Sequence, residues 1–115
     1  MSRNASQVHP DADSPEAALR QMRAAVAAGR YYTHPRVIDR LLELGLTAFE
    51  VRDAVEAVLQ EITLADYKQP DSLFDPPGHG FVWQSEHLGC RMYLKFCLVG
   101  KRPACWLYSL HRSDY

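Results

Sequence analysis

Apolar residues recur along this chain first with a helical period and then with a strand period. Leu19, Met22 and Val26 stand at helical spacing among alanines. Ser14 and Pro15 supply an N-cap and a first helical position, and Gly29 supplies a stop, so the pattern predicts a helix over 15–28. After the connector "RYYTHP", Val37, Leu41 and Leu44, with Ile38 and Leu42 beside them, predict a second helix over 35–44 that ends at Gly45. Thr47 and Glu50 form a capping box ahead of Val51, Val55, Val58 and Ile62, which places a third helix over 48–61.

From Phe81 the period becomes two. Phe81 and Trp83 point one way, and Val82, Gln84 and Glu86 the other. In "CRMYLKFCLV", Met92, Leu94, Phe96 and Leu98 oppose Arg91, Tyr93, Lys95 and Cys97. "GKRP" turns the chain, and the next run sets Trp106, Tyr108 and Leu110 against Cys105, Leu107, Ser109 and His111. Strands are therefore expected over 80–86, 91–99 and 104–111, and the short links imply an antiparallel meander. The expected fold class is α+β, with N-terminal helices packed on one face of a small antiparallel sheet. Phe81, Trp83, the Met92–Leu98 set, Trp106 and Leu110 would face those helices. "ITLADY", within residues 62–73, is an open candidate for an added edge strand. Residues 1–13 read as a disordered or flexible tail, and 14–115 as one domain.

Composition adds the setting. With 115 residues, 47% hydrophobic and 23% charged, the chain suffices for a single core without disulfides. No apolar run approaches the roughly 18–20 residues of a membrane span, and the first dozen residues lack the apolar centre of a secretory signal. Three cysteines with no C-x-x-C pair suit reduced thiols, so a cytoplasmic protein is expected. His79, His87, Cys90, Cys97 and Cys105 do not make a zinc site, because Cys90 and Cys97 lie seven residues apart on one strand and point to opposite faces. "DPPGHG" lacks the lysine and following helix of a phosphate-binding loop. No metal or cofactor is called for.

Charge changes the picture. The net charge is −1, but residues 1–79 hold eight Lys/Arg against twelve Asp/Glu (−4), and residues 80–115 hold five against two (+3). If the apolar alternates of the three strands face the helices, the other face gathers Gln84, Arg91, Tyr93, Lys95, Ser109 and His111. Antiparallel sheets commonly leave one polar face in solvent. This one consists of hydrogen-bond donors with almost no carboxylate, which suits a phosphate.

The series "ADYK", "VWQ", "RMYLKF" and "LYSLHR" resembles the MqsR-type toxins of bacterial toxin–antitoxin systems, within the RelE-like group of messenger-RNA endonucleases. The resemblance covers roughly residues 36–112. In that family a D-[FY]-Y-K-like stretch is followed by W-Q, by [VM]-Y-L-K and by a last strand ending in S-[FL]-K. Lys68, Gln84 and Tyr93 occupy the matching positions, whereas His111 stands where the family usually has lysine. The resemblance implies a RelE-like fold, metal-independent cleavage of mRNA, and a cognate antitoxin protein as partner.

Metal-free RNA cleavage directs the ribose 2′-OH at the adjacent phosphorus. It needs a base, cations for the transition-state charge and an acid for the leaving 5′-oxygen. Lys68, on a loop beside the sheet, is a candidate base or phosphate clamp, Tyr93 orients the 2′-OH or shares its proton, and Gln84 holds a phosphate oxygen or a base edge. Arg91, Lys95 or Arg112 would offset the charge, and His111, whose imidazole can carry a proton, is the candidate acid. Each also has a plainer reading as a solvated side chain on a sheet face. The acidic front part suits a rival, a non-catalytic immunity or regulatory module, and His111 suits a RelE-like fold that has lost activity.

Overall fold

The computed structural model describes residues 14–71 and 78–113. The expectations for residues 1–13 and for the loop over 72–77 fall outside them. Helix α1 spans Pro15–Ala27, α2 Pro35–Glu43 and α3 Ala48–Glu61, each within a residue or two of its expected bounds. The local signals account for this. The Ser14 side chain accepts from Ala17 N at 3.3 Å, and Thr47 N donates to Glu50 Oε1 at 2.7 Å. α2 is capped by His34, whose Nδ1 accepts from Arg36 N at 3.0 Å. Gly29 and Gly45 follow α1 and α2 at φ 78° and 102°, where a side chain would be strained.

The sheet has five strands, β1 (Tyr31–Thr33), β2 (Tyr67–Asp71), β3 (Gly78–Ser85), β4 (Cys90–Val99) and β5 (Ala104–Arg112), in the order β1-β5-β4-β3-β2. Strands β2 to β5 run antiparallel to their neighbours. β1 instead pairs parallel with β5, Tyr31 opposite Cys105 and Thr33 opposite Leu107. The expected antiparallel sheet is therefore corrected to a mixed one, and the "RYYTHP" connector to a strand. Cys105 N donates to Arg30 O at 2.9 Å and His34 N to Leu107 O at 3.0 Å, which fixes both ends of β1. Residues 62–73 do supply an edge strand, β2, but only Tyr67 of "ITLADY" belongs to it, because Leu64–Asp66 forms a 3-10 turn. Glu86 lies in the turn after β3 rather than in the strand.

The second correction concerns β5. Trp106 and Tyr108 were expected on the helix side, but Cys105, Leu107 and Leu110 are the buried core members. The register explains it: Phe96 pairs with Leu107 and Lys95 with Ser109, leaving Tyr108 as an extra residue in a bulge. Counting by twos fails across such an insertion, so Trp106 moves to the far face while Leu110 stays in the core.

All three helices pack on one face of the sheet. Met22 and Val26 from α1, Val37 and Leu41 from α2, and Val55, Val58 and Leu59 from α3 join Phe81, Met92, Leu94, Phe96 and Leu107 in one cluster. The Phe81 and Phe96 rings stack at 5.8 Å. Among the described residues no helix is long and apolar enough to cross a membrane.

Candidate functional site on the open face of the sheet

With the helices confined to one side, the other face of β3, β4 and β5, the open face, carries no helix among the described residues. No residue of these three strands is a carboxylate. The register aligns their outward side chains in rungs: Gly80, Lys95 and Ser109; Val82, Tyr93 and His111; then Gln84 beside Arg91. Four of the six residues expected on this face are cations or hydrogen-bonding groups of two neighbouring rungs.

Tyr93 and His111 form the centre. They are direct cross-strand partners, and their ring centroids lie 5.3 Å apart. His111 Nδ1 lies 2.8 Å from Arg112 O. A carbonyl only accepts, so Nδ1 donates its hydrogen there and Nε2 is left as the atom that takes up or releases a proton. Tyr93 lies along the face over Gly80: a Cβ added at Gly80 would meet Tyr93 Oη at 3.1 Å and Cε1 at 3.3 Å. Glycine at this position is what lets the phenol lie flat across β3.

Gln84 is exposed on the same face, flanked by two residues anchored on the other side. Trp83 Nε1 and Ser85 Oγ donate to Glu61 Oε1 at 2.8 and 2.7 Å, and His87 N donates to Glu61 Oε2 at 2.8 Å. Burial alone would raise the Glu61 pKa, but these hydrogen bonds, with one from the Glu86 backbone, outweigh it and hold the carboxyl below its usual value. The end of α3 thus clamps the end of β3.

The other expected residues are spread more widely. Lys68 is exposed in the edge strand β2, at a bulge between Tyr67 opposite Phe81 and Gln69 opposite Gly80. It therefore belongs to a strand rather than a loop, two strands away from Tyr93. Arg112 pairs with Met92 and so alternates away from His111. Both nonetheless line a cleft of about 340 Å³ together with Arg40, Glu43 and Leu44 at the end of α2. Arg40 was not among the sequence candidates, since only the tertiary fold brings α2 to the end of β5.

Sequence reasoning also missed an aromatic group on the open face. Tyr32 and Trp106 are 4.8 Å apart, Trp106 and Tyr108 6.0 Å, and Tyr108 and His34 5.9 Å. Cys97, expected on the solvent side, points to this face but is fully buried beneath it, opposite Trp106. Burial pushes its thiol up to about 12. The Tyr108 hydroxyl is raised too, first by burial and then by Cys97 and Tyr32.

No known family model matches this chain, nor does any curated protein or any solved structure.

Proposed function

We propose that this protein is a metal-independent endoribonuclease of the RelE-like kind, the toxin of a toxin–antitoxin pair, acting on mRNA at the open sheet face. The observation that carries the reading is the Tyr93–His111 pair on a face to which β3, β4 and β5 bring cations and no carboxylate. A phosphodiester meets no like charge from these strands, and a phenol and an imidazole stand side by side for proton transfer.

In this reading the 2′-oxygen attacks phosphorus while Tyr93 orients the hydroxyl and relays its proton to solvent. The P–O5′ bond breaks as protonated His111 delivers a proton from Nε2 to the departing oxygen. The products are a 2′,3′-cyclic phosphate and a free 5′-hydroxyl. Lys95, half-buried in the neighbouring rung, and exposed Arg91 offset the charge that builds on the phosphoryl oxygens. Gln84 hydrogen-bonds a phosphate oxygen or base edge. Lys68 enters as a phosphate clamp from the edge strand, and Arg112 as one at the cleft beside His111.

Purified protein in EDTA is expected to cleave single-stranded RNA and to leave its 2′-deoxy counterpart intact. His111→Ala should lose roughly 10²-fold or more in rate, the scale of a missing general acid, and His111→Lys should retain substantial activity. RNA left whole by the wild type, or cut only with added divalent metal, would sink the proposal and favour the non-catalytic binding module. A toxin also needs restraint, so a protein encoded beside it is expected to copurify and block cleavage.

A further inference from the structure

We infer that Tyr32, Trp106 and Tyr108 form a base-stacking subsite that holds unpaired RNA beside the cleaved phosphate. The inference rests on the RNA reading of the same face.

An aromatic cluster on the solvent side of a sheet needs a reason. Part of it covers Cys97, but aliphatic side chains would do that equally well, and Tyr32 remains 44% exposed. Trp106, Tyr108 and His34 are half-buried. The rings of Tyr32 and Trp106 are tilted by 43° and those of Trp106 and Tyr108 by 31°, so none spends its full face on a neighbour. The bulge at Tyr108 interrupts the register within an internal strand, and its effect is to add a ring to this group. Contiguous exposed aromatic surface on a soluble domain marks a place of contact.

The surroundings select the occupant. Trp106 and His111 lie opposite Cys97 and Tyr93, four residues apart on β4, which at about 3.3 Å per residue sets Trp106 roughly 13 Å from the imidazole along the strands. Lys95 lies on the adjacent strand, and Arg40 and Arg112 line the cleft beyond His111. Aromatic faces at one end and cations along the path to the other match single-stranded nucleic acid, whose bases stack while its phosphates meet positive charge. A helix or strand of a protein partner would gain little from that alternation.

The test uses a 2′-deoxy oligonucleotide, which the proposed chemistry cannot cut, and follows tryptophan emission. The chain has two tryptophans, and Trp83 is in the core at 5% exposure, so quenching reports on Trp106. Wild type is expected to bind with quenching, and an abasic strand of equal length to bind at least tenfold more weakly without it. Tyr32→Phe should bind as wild type. Tyr32→Ala, and Tyr32→Leu, which keeps the bulk but not the ring, should each weaken binding about tenfold. Equal affinity of complete and abasic strands, or wild-type binding by both Tyr32→Ala and Tyr32→Leu, would overturn the subsite. Binding that follows the expected pattern while RNA stays uncut would instead retain the subsite and remove the nuclease.

Discussion

Glu61 is the most informative residue to remove, because one carboxylate fastens the end of α3 to the end of β3. Glu61→Ala leaves Trp83 Nε1 and Ser85 Oγ without their acceptor, and both residues are buried, at 5% and 1% exposure. An orphaned buried donor costs about 1–3 kcal/mol, so the pair is expected to cost about 3 kcal/mol. The His87 amide lies in the exposed turn and re-forms its bond with water at little cost. Glu61→Gln keeps one acceptor oxygen but loses the charge, and should cost about half as much. The pH dependence has a definite sign. Folding depresses the Glu61 pKa below the ordinary carboxylate value of 4.5, so the stabilisation is present above that pH and is lost as pH falls through the lower, folded value. The gap between wild type and Glu61→Gln should therefore narrow in that acid window. Urea unfolding followed by tryptophan emission measures all three quantities, with an unchanged slope certifying a change in stability alone. A Glu61→Ala protein within about 1 kcal/mol of wild type at neutral pH would refute the clamp.

Three further outcomes follow from the site and its surroundings. Gly80→Ala brings a methyl group to 3.1 Å from Tyr93 Oη, so the phenol must shift and cleavage should fall at least tenfold. Unchanged cleavage by Gly80→Ala would detach Tyr93 from the chemistry. In the folded protein a thiol reagent at pH 8 should modify half-buried Cys90 alone, since Cys97 is buried and its thiol is pushed up to about 12, and Cys105 is buried too; three fast-reacting thiols would contradict the packing. Tyr93→Phe should lower the cleavage rate but leave binding of the 2′-deoxy strand unchanged, which separates its proposed part in proton transfer from simple adhesion.

The helices were legible because their signals are local. Ser14–Pro15 and the Thr47–Glu50 box start them, Gly29 and Gly45 stop them, and no distant residue is needed to read either. Strands β3 and β4 were legible because strict alternation survives along them, and with it the placement of Gln84, Arg91, Tyr93 and Lys95. β5 was half legible. Its bulge resets the count at Tyr108, so apolar Trp106 read as core and Cys105 with Leu107 as surface, the reverse of their positions. Strand β1 was hidden for another reason: three residues carry no usable period, and their partner lies 74 residues onward, from Tyr31 to Cys105. Because β1 and the bulge were hidden, so was the aromatic group that they create together. Lys68 was found as a residue but misread as loop, since the short, bulged edge strand around it breaks the alternation.

That parallel pairing of an early strand with a late one has a consequence for the timing of biosynthesis. β5 lies between β1 and β4, so a nascent chain that has emerged only as far as residue 103 has its helices and the strands β2, β3 and β4, but not the strand that joins β1 to them. Helical segments form within microseconds of leaving the ribosome, whereas closure of β1 onto β5 must wait for both to be present. His111 arrives with the strand that completes the sheet. A chain that has emerged to residue 103 therefore holds Lys68, Gln84 and Tyr93 but neither His111 nor the strand that would align it. If this protein cuts RNA, the ribosome making it is shielded from its own product until β5 has emerged, by topology alone.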